Sequence, residues 1–208
     1  MNDIKTVVAL LFFFFASIFA KDLSFLELPQ SVVSLATEQH RLMKDETKKK
    51  ERQKTQQSSE EERVAKAVSR IYKNVKLSDA KKVVRLVYKH AKKQRIKPTL
   101  VVGLIASESG FRRTVVSSHG AVGYAQVMPK YHQDKIAGRD IFDPKVNIEV
   151  GVKILGDCLR KKKDINKALG CYNGATTSNG AMKYINQVRK NEKRIVKLAS
   201  LNATKTIS

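Results

Sequence analysis

Pro98-Thr99-Leu100-Val101-Val102-Gly103-Leu104-Ile105-Ala106-Ser107-Glu108-Ser109-Gly110 is the stretch on which the rest of the chain turns. Pro98 suits a first helical residue, where its missing N–H would have no intrahelical partner. Residues 99–107 then read as an almost wholly apolar helix, and Gly110 supplies a stop, because glycine accepts the left-handed conformation that closes many helices. Glu108 falls in the last turn. Leu104 lies four residues before it and Val101 seven, so all three share one face. An ionised carboxylate is costly on a buried apolar face, so such a group tends to hold its proton and is suited to act as a general acid near neutral pH. Periodicity alone leaves a second reading open, in which Glu108 frays into solvent at a helix end.

The chain has 208 residues, enough for one packed domain with extensions. Its 41 Lys+Arg against 19 Asp+Glu give a net charge of +22, a field that attracts polyanions of any kind: nucleic acid, anionic lipid or anionic cell-wall polymer. No zinc-finger spacing, glycine-rich phosphate loop or RNA-binding aromatic motif accompanies that charge, so no nucleic-acid partner is expected.

At the N-terminus, Lys5 precedes an apolar run of about 15 residues that ends in Ser17-Ile18-Phe19-Ala20, which reads as an export signal. The run is short for a spanning helix. An uncleaved membrane anchor is the alternative, and either places the protein outside the cytoplasm, in the periplasm or cell envelope. Residues 21–61 read as a charged linker. Between Lys44 and Arg63 no apolar residue occurs, which predicts a solvated helix or a disordered tether. Ser59 and Glu62 have the spacing of a capping box, with Val64, Val68, Ile71 and Val75 following at helical intervals. Ser78 is suited to cap the next helix, whose Val83, Val84, Val87 and Ala91 face inward. Later, Asp143-Pro144 leads a helix with Ile148, Gly151, Val152, Leu155 and Leu159 on one stripe. Lys130–Arg139 reads as a short helix or loop and Asp164 as the cap of a short helix. Residues 174–180 read as a loop, with Ala181 opening the last helix. No strand-period segment of any length appears, so the chain is expected to be mostly helical.

Beyond Glu108-Ser109-Gly110-Phe111, four further features stand in order: Ser117, Gly123-Tyr124-Ala125-Gln126-Val127-Met128-Pro129, Phe142-Asp143-Pro144 with Asn147-Ile148 and Gly151, and Cys171-Tyr172-Asn173-Gly174 followed by Tyr184. Together they resemble the lysozyme-like domain of the soluble lytic transglycosylases over about residues 80–188, with Tyr124-Ala125 in place of that family's Leu-Met. The resemblance implies a helical, lysozyme-like catalytic domain over residues 62–200, a tail at 201–208, and action on peptidoglycan without cofactor or metal. It assigns Glu108 as the single catalytic acid. Ser117, Gln126, Met128, Tyr172, Asn173 and Tyr184 fall on its substrate-binding positions. Gln126 suits an N-acetyl group, since an amide both donates and accepts. The tyrosines offer flat ring faces for sugars. Asp134, Asp140 and Asp143 are the nearest downstream carboxylates and match no catalytic position of the family. His119 has no second histidine at ligand spacing, which excludes a metal role. Cys158 and Cys171, the chain's two cysteines, suit a disulfide in an oxidising compartment. By analogy with the family, such an enzyme opens local gaps for a secretion, conjugation or phage assembly. A true lysozyme and a non-catalytic glycan-binding assembly protein are the competing readings.

Overall fold

A computed structural model describes residues 30–175 and 177–204, so the expected export signal at 1–20 lies outside the described residues. The chain divides into two units, residues 1–53 and 54–208. In the first, residues 30–53 are helical and their described side chains are exposed, Leu35, Leu42 and Met43 among them. No described helix is long and apolar enough to cross a membrane.

The helices, in chain order, are α1 (Gln30–Ile71), α2 (Leu77–Lys93), α3 (Pro98–Glu108), α4 (Gln133–Ile136), α5 (Pro144–Lys162), α6 (Ile165–Asn173) and α7 (Ser178–Thr204), with a single 3-10 turn at Pro129–Tyr131. No strand occurs among the described residues. Two isolated bridges, Val116 to Val122 and Val122 to Val127, pin the long loop after α3.

Ser59 does not cap a helix, because α1 runs straight through it. The polar run is rich in Glu, Lys and Gln, which favour helix, and four-residue pairs brace it. Gln57 donates to Glu61 at 2.5 Å, Arg63 donates to Ser59 at 2.5 Å, and Lys66 pairs with Glu62 at 3.6 Å. Nor does Ser78 cap α2. That helix begins one residue earlier, and the Lys76 carbonyl receives the N–H groups of Asp79 and Ala80, both at 3.0 Å. Asp143 and Asp164 do cap, each accepting a backbone N–H at 2.8 Å, from Lys145 and Lys167. The last helix starts at Ser178, earlier than the expected Ala181, with the Thr177 hydroxyl accepting the Gly180 N–H at 3.1 Å.

The expected inward faces form the core. Val64, Val68, Val83, Val84, Val87 and Ala91 are all buried, as are Ile148, Val152 and Leu155 of α5. α3 runs through the middle, buried from Thr99 to Ala106, and α7 packs along it. Gly103 sets how closely. A Cβ there would stand 2.8 Å from the Val188 carbonyl oxygen and 2.9 Å from the Glu192 nitrogen, so the two backbones meet where a side chain has no room. Buried polar groups lock the same pair. Thr99 donates to Glu192 at 2.9 Å, Lys97 pairs with that carboxylate at 3.0 Å and Arg189 at 3.3 Å, while Asn191 donates to Ser107 at 2.9 Å. These contacts hold the Glu192 carboxyl below its ordinary range, although its burial opposes them.

Cys158 and Cys171 are joined, clamping α5 to α6 with Cα atoms 5.9 Å apart. The bridge closes a loop with a sequence separation of 13, for which chain entropy predicts about 3 kcal/mol of stabilisation. Thermal melts with and without reductant, and of the Cys158→Ser/Cys171→Ser variant, should both show that loss.

Candidate functional site

α3 ends at Glu108, and Gly110, at φ +57°, turns the chain away as the sequence predicts. The next residue, Phe111, also adopts a left-handed backbone at φ +62°, which costs a non-glycine residue about 1 kcal/mol. Burial of its ring, 5.1 Å from that of Tyr72, compensates. Ser109 is buried behind the site, and its hydroxyl is 2.8 Å from the Tyr124 carbonyl and 3.3 Å from that of Ile105. The loop from Phe111 to Met128 is therefore fastened to the end of α3 directly under Glu108.

Glu108 is half-buried. Its Oε1 accepts a hydrogen bond from the Tyr184 hydroxyl of α7. Burial pushes its carboxyl up to about 7 from an ordinary 4.5, and the Tyr184 bond opposes that rise. No second carboxylate contributes to the shift among the described residues. The Tyr184 hydroxyl is itself driven far up by burial and by Glu108, so it remains a donor throughout the physiological range. Tyr172, raised likewise by burial and by Glu108, completes the cluster. Its hydroxyl donates to the Ala125 carbonyl at 2.5 Å. Gly151 makes this approach feasible, since a Cβ there would lie 2.4 Å from Ala125 Cβ and 3.2 Å from the Tyr172 hydroxyl.

The structure thus brings Glu108, Tyr172 and Tyr184 together. None of the other candidates makes a hydrogen bond to the acid. Ser117 accepts the Ala121 N–H at 3.0 Å and shapes the tip of the loop. Gln126 departs from expectation: its Nε2 donates to Gly123 at 3.0 Å and Val115 at 3.2 Å, so both amide hydrogens hold the loop. Only its carbonyl remains to meet a ligand, as an acceptor. The same bonds offset the left-handed backbone of Gln126 at φ +46°. Met128 is half-buried just before the 3-10 turn, and Asn173 is exposed at the end of α6.

Asn147 has a larger part than its place in the Phe142–Gly151 block indicates. It is buried, accepts the Ala125 N–H at 2.8 Å, and donates to Val122 at 2.9 Å and Ile141 at 3.1 Å. An asparagine facing the core from the first turn of an apolar helix is the signal that identifies such a clamp, because a buried amide must find partners. The three downstream aspartates are engaged elsewhere: Asp134 with Lys135 at 3.0 Å, Asp140 with the Phe142 N–H at 2.8 Å, and Asp143 at the head of α5.

A half-buried acid on an apolar helix, one tyrosine on its oxygen and a loop clamped beneath it find their match in sequence. The profile of the Transglycosylase SLT domain matches residues 85–196, more than half of the chain. The chain belongs to that family. The chain is 34% identical over 79 residues to the transglycosylase of Enterobacteria phage PRD1, covering 38% of this chain and 29% of that protein. It is 41% identical over 66 residues to the membrane-bound lytic murein transglycosylase C of Actinobacillus pleuropneumoniae, covering 32% of this chain and 17% of the relative. The chain therefore spans less than a third of the length of either relative. The inactive mutant of the lytic transglycosylase Slt from Pseudomonas aeruginosa aligns over 59% of this chain and 24% of its own, at 18% identity and a TM-score of 0.42. That likeness is too partial to carry weight.

Proposed function

We propose that this SLT domain is a peptidoglycan lytic transglycosylase in which Glu108 acts first as acid and then as base. The observation that carries the reading is a half-buried carboxyl pushed up to about 7, bonded by a tyrosine and influenced by no second carboxylate among the described residues. Near neutrality such a group is divided between its two forms, as a residue that must give a proton and take one back requires. In the protonated form Glu108 gives its proton to the oxygen linking N-acetylmuramic acid to N-acetylglucosamine as that β-1,4 bond breaks. As carboxylate it then accepts the proton of the muramyl C6 hydroxyl, whose oxygen closes a 1,6-anhydro ring on C1. The nucleophile belongs to the substrate, so the second carboxylate of ordinary glycosidases is not needed. Tyr184 orients the acid and stabilises its anionic form. The rings of Tyr172 and Tyr184 offer one wall for the sugars, with Ser117, Gln126, Met128 and Asn173 as the remaining groove contacts.

We place residues 1–20 as the export signal or anchor, 21–61 as spacer, 62–200 as the catalytic domain and 201–208 as a tail. The name of the membrane-bound relative supports work at the cell envelope; local wall opening for a secretion, conjugation or phage assembly rests on analogy with the family alone. The +22 charge draws the domain to a wall whose peptide stems carry carboxylates.

The test is a mass spectrum of the muropeptides that the purified chain releases from peptidoglycan. Products ending in 1,6-anhydromuramic acid, lighter by one water than reducing ends, establish the transglycosylase. Reducing ends would make the protein a lysozyme, and binding without release would make it a glycan-binding scaffold.

Tyr184→Phe separates the donor's contribution. Losing the hydrogen bond removes the influence that lowers Glu108, so the carboxyl rises above about 7. The alkaline limb of the rate profile should then move to higher pH, while the maximal rate falls because the acid is less well oriented. An unmoved limb would show that the tyrosine does not bond the acid in the working enzyme.

A further inference from the structure

A groove of about 660 Å³ lies apart from the catalytic cluster, with neither Glu108, Tyr172 nor Tyr184 in its lining. It is bounded by the turn between α1 and α2, the exposed side of α2, the loop after α3 and the head of α5. Five cations rim it: Lys82 and Arg85 from α2, Arg112 and Arg113 from the loop, and Lys145 from α5. None of the five has a carboxylate within ion-pair distance among the described residues. Two acids oppose them, Asp79 and Asp143, the second also accepting the Lys145 N–H as the cap of α5, so the cations outnumber the acids five to two.

Two of the cations are held in place. The Arg112 Nε donates to the Ser109 carbonyl at 2.8 Å, and the Arg113 Nε to that of Phe142 at 3.2 Å. Each guanidinium is tethered through its stem-side nitrogen while its terminal NH2 groups remain available. That reduces the ordering cost of engaging a carboxylate. Between the cations the lining is apolar: Leu86 is half-buried and reachable, while Val75, Val83, Phe111 and Tyr124 are buried behind it.

We propose that this groove is a docking site for a partner protein's extended acidic segment, one that carries an apolar side chain among its carboxylates. The carboxylates would meet the tethered arginines and the α2 cations, and one apolar side chain would lie on Leu86. The geometry disfavours the other polyanions. Phe111 and Tyr124 are 4% and 6% exposed, so neither offers a ring face on which a nucleobase could stack. The cations line a concavity, whereas a lipid surface needs them on a convex or flat face. The proposal is independent of the glycan chemistry at Glu108.

The experiment is a fluorescence-anisotropy titration of the full chain with a short labelled peptide that alternates glutamate and leucine. Two exposed charge-reversal variants are compared. Lys82→Glu/Arg85→Glu alters the groove wall, and Lys161→Glu/Lys162→Glu makes the same change in net charge at the far end of α5. The groove variant should weaken binding about tenfold or more, since it sets like charges face to face, and the distant variant much less. Lys145→Glu, on the opposite wall, should weaken it in the same direction, and replacing glutamate by glutamine in the peptide should abolish it. Equal losses in the two double variants would reduce the effect to overall charge and overturn the proposal. Tighter binding of a single-stranded oligonucleotide or of phosphatidylglycerol vesicles, lost on Lys82→Glu/Arg85→Glu, would assign the groove to phosphates and overturn it equally.

Discussion

Glu108→Gln should abolish release of anhydromuropeptides while leaving the fold intact. The amide matches the carboxyl in shape and can still accept from Tyr184, but it has no proton to give. A positioned general acid contributes about 10²–10⁴-fold, and here the same group serves both proton transfers, so the upper end is expected. The substitution should also change stability in a direction set by the sign of the shift. The folded state holds the Glu108 proton more tightly than the unfolded chain does, with a folded value of about 7 against 4.5. The stability this group contributes is therefore complete below pH 4.5 and is lost as pH rises through about 7. Glutamine does not titrate. The variant should thus melt at a higher temperature than the wild type above pH 7, with the difference vanishing below pH 4.5. An inactive variant that is no more stable at alkaline pH would mean that Glu108 is solvated and its burial overstated. A variant that still releases anhydro products would sink the catalytic assignment itself.

The second large effect is expected far from the chemistry. Gly103→Val should destabilise the domain by about 3 kcal/mol, the upper part of the usual overpacking range, because the added atoms meet backbone rather than a flexible side chain. Better helix propensity returns well under 1 kcal/mol. For a domain of this size the loss lowers the melting temperature by about 10 °C, readable by circular dichroism. Muropeptide release should fall at temperatures where the variant is still folded, because α3 and α7 carry Glu108 and Tyr184 and the substitution forces them apart. Unchanged stability would mean that the helices are not in backbone contact at this point.

The helical class and most of the core were legible in the sequence because apolar spacing and burial are two views of one constraint: Val83, Val84 and Val87 could only face inward. The acid was half legible. Periodicity placed Glu108 on an apolar face but could not separate a buried end from a frayed one. What decides that is Tyr184, 76 residues away, and no local pattern encodes such a pairing. Ser59 and Ser78 misled for a related reason. A capping residue is a local preference, and a helix braced on both sides of it, or already begun before it, overrides a preference worth about 1 kcal/mol. Gln126 and Asn147 show the same limit for amides. Their residue type announces hydrogen bonding, but only the folded loop reveals that Gln126 gives both hydrogens to its own backbone and that Asn147 clamps Val122, Ala125 and Ile141.

The close seat of α3 on α7 bears on how this domain can diverge. The acid and its tyrosine sit on two helices whose spacing is fixed by backbone touching backbone at Gly103, and the base of the loop from Phe111 to Met128 is tied to the same helix end through Ser109. Precision is built into one part of the molecule and variety is permitted in another. The exposed tip of that loop, at Ser118 and His119, can drift without retuning the proton donor. Lineages of this domain are accordingly expected to guard the small residue at Gly103 more strictly than the side chains that touch the sugar.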